Sequence, residues 1–150
     1  MMKFKFLLHT ADIKFQAFGK TIEKCFENAA YALKEVITKD KIKPIIKKII
    51  KVKGKDLEEL LYNFLEEFLF LMDTENLVLS KITKIKINRN NKNRFELSSE
   101  VYFDRINNYK TISDVKAITY NEMFIKGPSN DGNCLKKEKG KFTCQVVVDV

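Results

Sequence analysis

Between Leu57 and Met72 apolar residues recur every third or fourth position: Leu57, Leu60, Leu61, Phe64, Leu65, Phe68, Leu69 and Met72. That is the period of an α-helix, and it lays one broad apolar face along it. Glu59, Asn63, Glu66 and Glu67 fall on the opposite side. Such a helix gains most of its stability from the surface that covers its apolar face. Asp56 in front of it, with Glu59 three residues on, reads as a capping box. A second helix begins after Thr21, a good N-cap, and carries Ile22, Cys25, Phe26, Ala29, Ala30, Leu33, Val36 and Ile37 on one face. The rest of the chain must supply a surface wide enough for both.

That surface reads as strands. Phe4, Phe6 and Leu8 alternate with Lys3, Lys5 and Leu7, and Ile13, Phe15 and Ala17 with Lys14 and Gln16, up to Gly19. Residues 45–53, after Pro44, are rich in Ile, Val and Lys and stop at Gly54. Val78 to Ile87 is β-branched, with a phase change near Thr83 that predicts a bulge. Asn88 to Asn93 is a polar turn, and Phe95, Leu97, Ser99, Val101 and Phe103 form the inner face of the next strand. Val115, Ala117, Thr119, Asn121, Met123 and Ile125 are expected on one face of a further strand, with Lys116, Ile118, Tyr120 and Glu122 opposite. A long polar loop, Gly127 to Gly140, leads to Phe142, Cys144, Val146 and Val148, the core face of the last strand, so Asp149 points the other way. The order is ββαβα followed by four strands. Helices early and strands late predict an α+β fold, two helices packed on a mostly antiparallel sheet, in one domain over residues 1–150.

Hydrophobic content of 45% with 32% charge fits a soluble globular protein. No apolar run is long enough to span a bilayer, and the N-terminus lacks the pattern of a signal peptide, so no membrane association and a cytoplasmic location are expected. Cys25, Cys134 and Cys144 have no CxxC spacing and read as reduced; with a single His they make no zinc pattern. The net charge is +8, yet residues 56–80 hold Asp56, Glu58, Glu59, Glu66, Glu67, Asp73 and Glu75 and no Lys or Arg. The basic runs are Lys39 to Lys55, Lys81 to Arg94 and Lys136 to Lys141. They read as scattered over strands and loops without an aromatic stacking platform, so direct RNA binding is not expected as the main activity.

No glycine-rich phosphate loop and no nucleophile elbow is present. His9, the only imidazole, suits a structural role at least as well as a catalytic base. Asp12 and Asp149 are acids at strand ends, and the chain ends one residue later at Val150, whose free carboxylate is expected beside Asp149. If the fold brings Asp12 to the same end, three anionic groups converge and call for a cation. Ligands that are all oxygen suit Ca²⁺, Mg²⁺ or Mn²⁺. Lys116 lies on the non-core face of its strand, and the acidic ridge of Glu59, Glu66 and Glu67 is either solvated or docks a basic partner. A metal-dependent hydrolase on Asp12 and Asp149 is the weakest reading, because no general base stands beside them.

The chain resembles the archease family. The matching stretches, in the family's order, are His9-Thr10-Ala11-Asp12-Ile13, Gly19-Lys20-Thr21 followed by Phe26-Glu27-Asn28-Ala29-Ala30, Gly54-Lys55-Asp56-Leu57-Glu58-Glu59-Leu60-Leu61, Leu69-Phe70-Leu71-Met72-Asp73-Thr74-Glu75, Val115-Lys116-Ala117-Ile118-Thr119-Tyr120 and Val147-Val148-Asp149-Val150. The resemblance implies a small α+β accessory protein, not itself an enzyme, that assists RNA ligases of the RtcB type in tRNA splicing, promoting the ligase–GMP intermediate and multiple turnover. tRNA would be met only through the ligase. It implies a divalent cation, commonly calcium in the family's structures, held by Asp12, Asp149 and Val150. Asp12, Asp149 and Lys116 are the residues expected to act in ligase activation. Asn121 departs from the family, many of whose members have His there; Asn63-Phe64 also replaces a more usual segment. The alternative is a nucleic-acid-binding or RNA-modification accessory module working through the Lys-rich surface.

Overall fold

The computed structural model describes residues 2–8, 11–128 and 140–150. Its elements are β1 (Phe4–Leu7), β2 (Ile13–Gly19), α1 (Ile22–Ile37), β3 (Ile46–Gly54), α2 (Leu57–Glu75), β4 (Leu77–Arg89), β5 (Phe95–Arg105), a 3₁₀ turn (Ile106–Asn108), β6 (Ala117–Lys126) and β7 (Phe142–Asp149). The order and the α+β class agree with the sequence patterns. The strands form two antiparallel sheets, however, β1-β2-β7-β6 and β3-β5-β4. Alternation reports which face of a strand is buried and says nothing of its neighbours.

Both helices bridge the sheets. α1 packs on β2 and β4, and α2 on β3 and β6, and the helices touch each other through the stacked rings of Phe26 and Phe64. Phe15, Phe26, Phe64, Phe103 and Phe142 are fully buried, with Leu60, Leu61 and Leu65 from α2. The helices start alike. Thr21 Oγ1 accepts the Lys24 N–H at 3.1 Å, and Asp56 Oδ1 accepts the Glu59 N–H at 2.8 Å. The Glu59 carboxylate turns back to accept from the Lys55 N–H, one residue outside the cap. α2 ends on Asn76 at φ 57°, whose N–H caps the carbonyls of Leu71 and Met72.

Strand β4 slips register twice against β5, between Leu79 and Lys81 and between Ile82 and Lys84, around the expected bulge. The Ile82 N–H, caught between the slips, donates to the Tyr31 hydroxyl of α1. The faces expected for β6 need correction. Thr119 pairs with Val147 and the next paired residue, Phe124, with Gln145, so residues 120–123 bow out opposite Val146. Glu122 takes φ 55°, and its carbonyl accepts from Gln145 Nε2 at 2.9 Å. Alternation already shifts ahead of the bow: the buried residues Val115 and Ile118 stand three apart, while Ala117 and Thr119, expected on the face of Val115, are only half-buried. Cys25 and Cys144 are buried, and the Cys25 Sγ donates to the Ala17 carbonyl at 3.4 Å; His9 and Cys134 lie outside the described residues, as does most of the Gly127–Gly140 loop. Among the described residues no helix is long and apolar enough to cross a membrane.

Candidate metal and docking site

β7 stands between β2 and β6, and its C-terminal end is where the candidate residues meet. Ile13 pairs with Val148 and Ala117 pairs with Asp149. Asp12 is the residue before Ile13 and Asp149 the residue after Val148, so the two acids occupy the next rung of that ladder. Lys116 precedes Ala117, and its backbone N–H donates to the Asp149 carbonyl at 2.8 Å. Three adjacent strands thus bring Asp12, Asp149, Val150 and Lys116 to one end of one sheet. Asp12, Asp149 and Val150 are half-buried and Lys116 is exposed.

The donor set is that of a hard cation. Among the described residues no cluster of three His, Cys, Asp or Glu side chains could hold a metal. A cation held at this sheet end would have two aspartate side chains to draw on, Asp12 and Asp149, and would need its remaining positions filled by other oxygen donors. All-oxygen ligands and an open sphere fit Ca²⁺ or Mg²⁺ better than zinc.

Lys116 also forms one wall of a groove between β6 and α2. The groove has a volume of about 220 Å³ and is lined by Tyr62, Glu66, Leu69, Phe70 and Asp73 from α2 and by Lys116, Ala117 and Ile118 at the start of β6. Over it Tyr62 and Tyr120 stack, ring centroids 4.3 Å apart and 8° from parallel, tying α2 to the bowed part of β6. Partial burial raises the Tyr120 phenol above its ordinary value, with the carboxylate of Glu59 next in effect. Burial and Glu66 do the same for Tyr62. Phe70 is 56% exposed on the acidic side of α2. Its signal was in the sequence: it lies four residues after Glu66 and three after Glu67, on the face read as polar. The acidic ridge is therefore not purely a solvated face, since it carries an aromatic ring beside the groove.

Two sheets bridged by two helices, with paired carboxylates and a lysine where three strands end, define a small α+β protein built to present a charged sheet end. The family whose pattern the chain fits is the archease protein family (MTH1598/TM1083), matched over residues 4–150, and the chain belongs to it. It is similar to protein archease of Sulfurisphaera tokodaii, 38% identical over 133 residues, covering 87% of this chain and 93% of that protein. It is also similar to protein archease of Pyrococcus furiosus, 37% identical over 147 residues, covering 95% and 94%. The solution structure of Methanobacterium thermoautotrophicum protein 1598 superposes with a TM-score of 0.78 at 28% identity, covering 100% of both chains.

Proposed function

We propose that this chain is an accessory activator of an RtcB-type RNA ligase, promoting ligase guanylylation and multiple turnover in tRNA splicing. The observation that carries the reading is the strand register that gathers Asp12, Asp149 and Lys116 in a chain of the archease family. Asp12, Asp149 and the Val150 carboxylate hold a divalent cation, calcium foremost. When bound, the cation supplies positive charge that offsets carboxylate or phosphate oxygens. The ligase docks over the groove between α2 and β6, where exposed Phe70 and the acidic side of α2 offer an apolar anchor within a charged rim. Lys116 then faces the partner and offsets phosphate charge at the ligase's nucleotide. The chain contributes no nucleotide-binding loop and no nucleophile of its own; its part is to hold and orient charge.

Labelling of the ligase with radioactive GTP, paired with a pull-down, tests this. The wild-type chain should accelerate formation of ligase–GMP. Asp149→Ala and Lys116→Ala should still be retained by the ligase and fail to stimulate it. Full stimulation by both variants would sink the assignment of this site.

A further inference from the structure

The basic residues read as scattered are gathered by the second sheet. β5 lies between β3 and β4, and the side of this sheet turned away from the helices is arranged in ranks. Lys47 and Lys81 flank Tyr102, Ile49 and Lys84 flank Glu100, Lys51 and Lys86 flank Ser98, and Lys53 and Asn88 flank Glu96. All six lysines of these ranks are exposed. Two are drawn to the glutamates: Lys47 lies 3.6 Å from Glu100 and Lys53 3.8 Å from Glu96. Lys81 lies over the Tyr102 ring, 5.4 Å from its centroid. Among the described residues Lys51, Lys84 and Lys86 have no ion pair. The acidic side of α2 is out of reach, because α2 packs against the inner face of this sheet.

We infer that this face binds the phosphate backbone of a polynucleotide, independently of the sheet end that carries Asp12 and Asp149. The spacing decides between a polyanion and a folded acidic partner. Lys84 and Lys86 stand two residues apart on one strand, about 6.8 Å, and Lys51 stands two strands across from Lys86, about 9.6 Å. Evenly repeated point charges meet an evenly repeated anion. They read no base edge, so the contact is sequence-independent and positions the nucleic acid without selecting it. A protein partner would instead need a buried aromatic or arginine anchor at its centre, and the two ranks between Lys47 and Lys53 offer only Ile49 on the β3 side.

The test is fluorescence anisotropy of labelled RNA, single-stranded and hairpin, with the full chain at increasing salt. DNA of the same sequence and poly-glutamate serve as competitors. Three unpaired lysines predict a slope of log affinity against log salt of about −2 on single strands and about −3 on duplex. Lys51→Glu/Lys84→Glu/Lys86→Glu should lose most of that slope and at least about tenfold in affinity at low salt. The substitutions are exposed, so an unchanged melting temperature certifies the fold. Competition by DNA as well as by RNA supports backbone recognition. No binding by the wild type at low salt, wild-type affinity and slope in the triple variant, or equal competition by poly-glutamate would each overturn the inference. Ligase–GMP labelling contains no RNA, so the triple variant should stimulate it as the wild type does. Failure of the ligase reading and failure of this one are thereby told apart.

Discussion

Replacing Gly54 by alanine should loosen the junction between β3 and α2, and the structure gives the size of the effect. A Cβ on Gly54 would lie 2.6 Å from the Leu60 nitrogen, 2.9 Å from the Leu60 Cα and 3.0 Å from the Asp56 carbonyl oxygen. Ordinary contact begins near about 3.5 Å, so the first atom is short by about 0.9 Å. Each atom it meets is backbone, and no rotamer change relieves the contact. α2 would have to shift, yet Leu60, Leu61, Phe64 and Leu65 are all 0% exposed and lock it in place. Overpacking of this kind costs about 1–3 kcal/mol. At 150 residues that corresponds to a fall in melting temperature of about 3–10 °C. Gly54 is not in the left-handed region, so the cost comes from contact and not from backbone strain. Thermal unfolding followed by circular dichroism measures it, with Gly54→Ala/Leu60→Ala as the control. Trimming the Leu60 side chain leaves the backbone contact intact, so the double variant should melt below either single one. Gly19 stands in the same relation to α1, its Cβ only 2.4 Å from the Cys25 nitrogen, and Gly19→Ala should cost at least as much. A wild-type melting temperature for Gly54→Ala, or its recovery in the double variant, would refute the reasoning.

Three other outcomes are expected. Asp56→Ala removes the acceptor of the Glu59 N–H and should destabilise the protein by about 1 kcal/mol in urea titration, whereas Asp56→Asn should keep most of the cap. The Tyr109 hydroxyl donates to Asp104 at 2.6 Å and the Arg105 N–H at 2.8 Å, which hold its carboxyl below the usual carboxylate range. A group depressed in the folded state stabilises above its unfolded value and ceases to as pH falls through the folded one; urea midpoints compared between neutral and strongly acidic pH should therefore differ less in Tyr109→Phe than in the wild type. On the proposed ligand set, Asp12→Ala should weaken calcium binding more than about tenfold in calorimetric titration, since it would remove one of the two side-chain donors.

The helices were legible because their apolar period is long and uninterrupted, and because Thr21 and Asp56 announce their starts. The division into two sheets was not, since period-two patterning in β3, β4 and β5 carries no record of the partner strand. β6 defeated the pattern for a local reason: four residues bow out opposite Val146, and Gln145, 24 residues beyond Asn121, supplies the side chain that steadies the bow. Asp12 and Asp149 could be singled out as strand-end acids, but their common rung depends on β7 entering between β2 and β6. The lysines were visible as two runs, Lys39 to Lys55 and Lys81 to Arg94. Only the placement of β5 between the strands of those runs turns them into one surface. The stacking of Tyr62 on Tyr120 was not legible, because neither the helical period nor the strand alternation relates residues of α2 to residues of β6; the two rings meet only in three dimensions.

The central place of β7 in its sheet also sets an order of events during synthesis. It is made after every other described strand, yet β2 and β6 each hydrogen-bond to it. While residues 142–149 are still unmade, β2 and β6 each carry an open edge, the kind of edge that recruits strands from other chains. Asp12 meanwhile waits without Asp149. A product truncated before Phe142 would hold both helices and the whole Lys-bearing sheet, but it would be sticky along two strands and would have no candidate cation site. Completion of this sheet is thus the same event as the meeting of Asp12 with Asp149.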